Sequence, residues 1–216
     1  MFSRDQFELA SRTFARCHSE WSWISAGRPG YGFLTRTSYH RWKTPFDPYS
    51  DLDFNDLEEE LEELDVSTAQ TQELLVLTAQ EYIVYSASFS VPAFYFAMQD
   101  SSTYLCPICY FIRTGGLADG GSLSLQEIMQ TSLFKLKTPV GSQATTYSLT
   151  LPSQSFPAIS HAEHPITGQP CWYFHPCESE KAVNEFMKEE TQWSDPMRLG
   201  RWLEIWLMIV GSVLNV

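Results

Sequence analysis

A block of aromatic and β-branched residues from Gln80 to Met98 constrains the fold of this chain more than any other feature. Around Ile83 and Tyr85 the residues alternate with a period of two, which is typical of β-strands. Pro92 interrupts the alternation before a second aromatic run. The block therefore predicts two strands or one long bent strand.

Helical signals stand on both sides of this block. Ser3 and Gln6 have the spacing of a capping box, and Ser124 and Glu127 repeat it. The predicted helices are Arg4 to Glu20, Ser124 to about Phe134, Glu178 to Glu190, and a last helix from Asp195-Pro196. Further short strands are predicted at Tyr31 to His40 and Cys171 to Phe174. A helix, then strands, then helices predicts an α+β fold with an antiparallel sheet.

Length and composition favour one globular domain over residues 1–216. A chain of 216 residues with 44% hydrophobic residues can bury a sizeable core, which excludes global disorder. Two segments are expected to lie outside that core. The first is a variable acidic loop at about 44–71, and the second is an insertion at about 100–121.

The charge distribution limits the classes of partner. The formal net charge is −12, but nine acids and no base lie in Asp51 to Asp65. A solvated loop or short acidic helix is expected for that run, with an electrostatic docking element as the alternative. Without basic stripes, nucleic acid is not an expected partner. The apolar stretch Ile205 to Val216 is only twelve residues long, so no transmembrane segment is expected. Met1 to Ala10 does not resemble a secretory signal, and a cytoplasmic location is expected.

The five cysteines favour reduced thiols over a disulfide framework. Cys106 and Cys109 have zinc-ligand spacing, and Cys171, His175 or Cys177 could complete a tetrahedral set. A single CxxC pair is weak evidence, and free thiols are the expectation. No metal or other cofactor is predicted.

The densest cluster of unusual residues runs from Glu163 to Cys177, with the sequence EHPITGQPCWYFHPC. This pattern resembles that of the E2-like conjugating enzymes of autophagy, the autophagy-related protein 10 family. That family joins an EHPxxGxP segment, a short aromatic strand and the tripeptide His-Pro-Cys. The resemblance extends through Tyr82 to Phe96, Leu123 to Ile128, and Trp202 to Leu214.

The resemblance implies an E2-like fold with a four-stranded antiparallel core sheet, flanking helices and extra family-specific strands. It also implies a relay of acyl groups. A cysteine would accept the ubiquitin-like modifier autophagy-related protein 12 from the activating enzyme, autophagy-related protein 7. It would then transfer the modifier to a lysine of autophagy-related protein 5. By position, the acceptor cysteine is Cys177.

The chemistry of the residues agrees with this assignment. A thiolate attacks acyl carbons readily, and a thioester stays reactive toward an amine. His175 is a candidate for stabilising the oxyanion or deprotonating the incoming lysine, or else for holding the turn. Tyr95 is a candidate for orienting that lysine, with a core tyrosine as the alternative. His164, Pro165 and Gly168 are expected to form a tight turn.

Two alternatives to an enzyme stay open at this point. A non-catalytic interaction module would keep the fold and dock partners through its sheet edge. A zinc-stabilised structural domain would use Cys106 and Cys109. The sequence has no nucleotide loop of the GxxxxGK[ST] type, so the activating enzyme is expected to use the ATP.

Overall fold

The computed structural model describes residues 3–28, 31–41, 76–100, 123–135, 138–152, 154–176, 179–188 and 195–216, with the backbone alone at Asp100, Asp195 and Pro196. The predicted acidic loop lies outside these residues. So does the predicted insertion, apart from Asp100. The described helices are α1 (Arg4–Cys17), α2 (Leu125–Met129), α3 (Ser179–Met187) and α4 (Asp195–Gly211). None of them is long and apolar enough to cross a membrane.

The described strands are β1 (Ser22–Ile24), β2 (Phe33–Arg41), β3 (Val76–Ser86), β4 (Val91–Asp100), β5 (Gln143–Ala144), β6 (Ser148–Thr150), β7 (Ile159–Glu163) and β8 (Pro170–Phe174). They form one sheet in the order β1-β2-β3-β4-β8-β7-β6-β5. Every neighbouring pair is antiparallel. The α+β class with an antiparallel sheet is confirmed.

The described residues form one sheet of eight strands, larger than the four-stranded core that the resemblance implies. The four strands that the sequence did not predict are β1, β5, β6 and β7, which have only two to five residues each. Such short segments carry too little alternation to be seen in sequence, and their pairing with neighbours decides their conformation.

The helix starts follow their local signals. In α1, Ser3 Oγ accepts from the backbone of Gln6, and Gln6 Oε1 accepts from the backbone of Ser3. Ser124 and Glu127 form the same capping box at α2. These contacts satisfy N–H groups that the first turn leaves without partners, which confirms both predicted starts.

The helix ends are less well predicted. α1 ends at Cys17 instead of Glu20, because His18 adopts an extended conformation as the C-cap. α2 ends at Met129, well before Phe134. α3 covers Ser179–Met187, shorter than predicted, with Val183 and Met187 buried and Phe186 exposed.

The main core lies on the face of the sheet covered by the helices. It joins Phe7 of α1, Phe94 of β4, Trp172 of β8 and Trp206 of α4. A smaller cluster contains Tyr82, Tyr95 and Cys171, whose strand positions alternate with those of the main core. Because β8 pairs with both β4 and β7, the segment that precedes His175 lies in the middle of the sheet.

Candidate active site

The turn between β7 and β8 is built around His164. The His164 carbonyl accepts from Gly168 N at 2.9 Å, and the His164 N–H donates to Gln169 O at 2.7 Å. Gly168 has φ +71°, in the left-handed region that glycine adopts without strain. The predicted tight turn is therefore present, and it returns the chain directly into β8.

The imidazole of His164 is almost completely buried, with 1% of the residue exposed. Its Nδ1 accepts from the backbone N–H groups of Ile166 and Thr167 at 3.3 and 3.1 Å. These donors assign the ring proton to Nε2. Phe33 and Tyr82 contact the ring edge to face, with centroids 4.8 and 4.7 Å away. Burial lowers the pKa of His164 to about 4, so its role is to fix the turn as a neutral ring.

Cys171 lies on β8 beneath this turn. It is 1% exposed, and burial raises the pKa of its thiol to about 11 despite an opposing contribution from the His164 backbone N–H. A buried thiol that stays protonated at neutral pH is a poor nucleophile. Cys171 is therefore a packing residue of the smaller cluster.

Tyr95 lies in the same cluster and is 9% exposed. Burial, with a smaller contribution from Cys171, raises the pKa of the Tyr95 phenol to about 12. The hydroxyl therefore stays protonated and can serve as a donor, not as a base. Tyr95 pairs in register with Tyr173 of β8, and their ring centroids lie 4.8 Å apart.

His175 follows β8 directly. Its N–H donates to the carbonyl of Ala158 at 2.9 Å, which continues the pairing of β7 and β8 by one residue. The His175 ring contacts Tyr173 at 5.7 Å. The structure therefore joins the candidates Tyr95 and His175 through Tyr173, on the face of the sheet away from the helices.

Three aromatic rings surround the His175 imidazole. Besides Tyr173, Phe89 contacts it edge to face at 4.8 Å, and Phe156 stacks on it at 6.1 Å with only 9° between the planes. Burial lowers the pKa of His175. The imidazole is consequently neutral at physiological pH, with one nitrogen free of a proton.

Sequence patterns single out His175 but not Phe89 or Phe156. Phe89 stands in the turn between β3 and β4, and Phe156 stands in a connection of polar residues. The one available signal is a large aromatic residue in each of two loops. By itself that signal does not indicate which side chain the ring contacts.

The predicted nucleophile, Cys177, lies outside the described residues, as do Cys106 and Cys109. Pro176, directly before it, and Ser179, two residues after it, are described. Pro176 is buried, and its carbonyl accepts from both the N–H and the hydroxyl of Ser179, the first residue of α3. Within the described residues, no group of three His, Cys, Asp or Glu side chains could hold a metal ion.

In this α+β fold the central strand β8 leads into the His-Pro-Cys segment, which precedes α3 in the sequence. The family described as "Autophagocytosis associated protein, active-site domain" matches residues 6–216. The chain belongs to this family.

Two curated proteins are similar in sequence to this chain. The "Ubiquitin-like-conjugating enzyme ATG10" of Homo sapiens is 26% identical over 152 residues, covering 70% of this chain and 54% of that protein. The protein of the same name from Dictyostelium discoideum is 30% identical over 67 residues, covering 29% of each chain. The chain thus spans about half of the human relative's length and less of the other. These comparisons confirm the resemblance to the autophagy-related protein 10 family.

Proposed function

We propose that this chain is an E2-like conjugating enzyme of autophagy that carries a ubiquitin-like modifier as a thioester on Cys177. The modifier is autophagy-related protein 12, supplied by the activating enzyme autophagy-related protein 7. The acceptor is a lysine of autophagy-related protein 5. The resulting isopeptide bond supports autophagosome formation, and the reaction takes place in the cytoplasm.

One observation carries this proposal. Cys177 directly follows His175 and Pro176 at the end of the central strand β8 and precedes α3, in a chain of a family described by its active-site domain. The relatives named as ubiquitin-like-conjugating enzymes support the reaction class. The buried Cys171 thiol, with its pKa raised to about 11, is poorly suited to compete for the acyl group.

The proposed relay has two acyl transfers. In the first, Cys177 Sγ loses its proton and attacks the thioester of the activating enzyme, whose departing sulfur takes up a proton. In the second, a lysine amine attacks the new thioester and loses a proton. The carbon–sulfur bond breaks, and the sulfur of Cys177 regains a proton. No net oxidation or reduction occurs.

His175 is the proposed base of the second transfer. Because burial lowers its pKa, the imidazole is neutral at pH 7 and can accept the proton that the amine loses. Its other nitrogen can donate a hydrogen bond to the thioester oxyanion. For Tyr95 we propose a supporting role, since its ring lies against Tyr173, which in turn contacts His175.

The proposal is tested by charging the purified chain with the activating enzyme, ATP and the modifier, followed by nonreducing gels. Wild type should form an adduct that an added thiol removes. Cys177→Ser should form a thiol-resistant oxyester if it is loaded, and Cys177→Ala should form neither. Cys17→Ser is the matched control, because Cys17 is an exposed free thiol on α1.

Two results would overturn the proposal. A folded Cys177→Ala protein that still carries the thiol-sensitive adduct would place the acyl group elsewhere. A folded wild-type chain that binds the other proteins but never forms an adduct would be a non-catalytic interaction module. Stoichiometric zinc lost together with Cys106 or Cys109 would instead indicate a zinc-stabilised domain.

A further inference from the structure

The rings around His175 come from three separate parts of the chain. Tyr173 belongs to β8, Phe89 to the turn between β3 and β4, and Phe156 to the connection before β7. Their centroids lie 4.8 to 6.1 Å from that of the imidazole. An arrangement that needs three distant segments to converge is set by the tertiary fold and not by local sequence.

The backbone holds two of these rings in place. Ala158, two residues after Phe156, accepts the hydrogen bond of the His175 N–H at 2.9 Å. Ser86 pairs with Val91, so Phe89 stands in a four-residue hairpin loop. Ser90 closes that loop with φ 55°, an uncommon conformation for a residue other than glycine. Each phenylalanine therefore lies only one or two residues from a backbone feature that restricts its position.

The two phenylalanines contribute little to the core. Phe89 is 39% exposed and Phe156 is 63% exposed. An aromatic contact adds only about 0.5–1.5 kcal/mol beyond the area that it buries. Their main structural effect is local, because they cover the imidazole from the hairpin side and from the side of residues 154–158.

We propose that Phe89 and Phe156 are positioning residues, which hold the His175 imidazole in one orientation and exclude water from it. In this role they act through His175 on the transfer of the modifier. That consequence rests on the proposed function, whereas the effect on the imidazole itself does not.

Two physical effects of the rings on His175 oppose each other. Exclusion of water disfavours the imidazolium, whereas a ring face attracts a cation within about 6 Å. Phe89 and Tyr173 lie within that distance, at 4.8 and 5.7 Å, and Phe156 lies at its limit, at 6.1 Å. Because burial lowers the pKa of His175, we expect the exclusion of water to outweigh this attraction. Tyr173 is the titratable member of the three rings, and residues 87–90 and 154–158 carry no ionisable side chain. Glu178 is the next acidic residue along the chain, three positions after His175.

The test titrates the imidazole C–H signals by NMR in the full chain, with the His175 signal identified by its loss in His175→Gln. Phe89→Ala and Phe156→Ala should each raise the pKa of His175, by about 0.5 or more for Phe89→Ala. In the conservative variants Phe89→Tyr and Phe156→Tyr, the pKa of His175 should equal that of wild type. Phe186→Ala is the matched control, because Phe186 is 54% exposed on α3 and lies outside this set of rings.

A second measurement follows single-turnover discharge of the thioester onto free lysine between pH 6 and 8. Each alanine variant should discharge about threefold or more slowly than wild type at pH 6.5, with a smaller loss at pH 8. The tyrosine variants should discharge at the wild-type rate. Using the same amine throughout cancels its own ionisation from the comparison.

An unchanged or lowered pKa of His175 in both alanine variants would overturn the proposal, since the rings would then not exclude water. A raised pKa with unchanged discharge at every pH would also overturn it, because the rings would not act on transfer. If no thioester forms on Cys177, the proposed function fails. The NMR titration then still decides whether the rings control the imidazole.

Discussion

Arg36 donates a 2.6 Å hydrogen bond from Nε to the carboxylate of Glu81, across the register pair that joins β2 and β3. Glu81 is completely buried. Ser38 donates to the other carboxylate oxygen at 2.5 Å, and His40 Nε2 lies 3.5 Å from it. Burial alone would raise the pKa of Glu81, but His40, Arg36 and Ser38 outweigh it and hold the pKa below its usual value. A carboxylate in the middle of an aromatic strand is thus compatible with folding.

Removing the Arg36 guanidinium should lower the stability of the fold. Arg36→Met keeps most of the side-chain volume but leaves the buried carboxylate without its ion pair, which should lower the free energy of unfolding at pH 7 by about 3 kcal/mol. Urea unfolding measures this loss. The double variant Arg36→Met/Glu81→Leu should recover part of it, because no charge then remains buried. A single variant within 1 kcal/mol of wild type would contradict the argument.

The Arg36→Met deficit should also depend on pH. In wild type the lowered pKa of Glu81 contributes stability above the unfolded value of about 4.5, and this is lost as the pH falls through the folded pKa. Without Arg36, two of the contributions that lower the pKa of Glu81 are lost, so this pKa should rise. The deficit should therefore shrink in acid, as the variant's carboxyl becomes protonated. A deficit that stays constant from pH 7 to 4 would contradict this.

His164 should make the fold sensitive to mild acid. Its folded pKa of about 4 lies below the unfolded value of 6.5. Between pH 4 and pH 6.5 the His164 ring is therefore protonated in the unfolded chain but not in the folded chain. The free energy of unfolding should therefore fall by up to about 3 kcal/mol as the pH drops from 6.5 to 4. Urea unfolding at several pH values measures the slope.

His164→Asn separates this titration from the hydrogen bonds of the turn. The asparagine oxygen can accept from the N–H groups that His164 Nδ1 now serves, but it cannot be protonated in this range. The variant should be less stable at pH 7, because ring packing is lost, yet have a slope smaller by about one proton. Equal slopes in the two proteins would show that His164 does not titrate as argued.

Gly32 is required by the close approach of β1. A Cβ at this position would lie 2.1 Å from Trp23 Cζ2 and 2.6 Å from the Ile24 carbonyl oxygen. Gly32→Ala should therefore displace β1 and lower the free energy of unfolding by about 1–3 kcal/mol. Gly27→Ala is the matched control, because no atom lies within 4 Å of its added Cβ. Similar losses in the two variants would rule out the steric explanation.

Substitutions at Gly168 test the effect of backbone conformation alone, because an added Cβ would meet no steric clash. The φ of Gly168 is +71°, and nothing lies within 4 Å of an added Cβ. Gly168→Ala should lower the free energy of unfolding by about 1 kcal/mol from left-handed strain alone. Gly168→Asn should cost less, since asparagine tolerates this region. If alanine and asparagine cost the same in thermal unfolding, the conformational argument fails.

Local signals in the sequence determined where the main elements begin. The capping boxes at Ser3 and Ser124 predict the starts of α1 and α2, because each box satisfies backbone N–H groups within one turn of helix. The alternation around Ile83 predicts strand structure, with the turn before Pro92 dividing it into β3 and β4. The EHPxxGxP and His-Pro-Cys segments indicate the family. All of these features depend on neighbours within a few residues.

Only the tertiary structure decided the size of the sheet and the surroundings of its polar groups. The two residues of β5 form a strand because they pair with the backbone of β6. A pattern of only two residues cannot predict that pairing. Glutamate is usually a surface residue, but the fold buries Glu81 and pairs it with Arg36. His175 likewise acquires its environment from Phe89 and Phe156. Desolvation and ring contacts depend on which distant segments lie together in the fold. A sequence pattern can therefore identify a candidate reactive residue, but its pKa and its contacts depend on the tertiary structure.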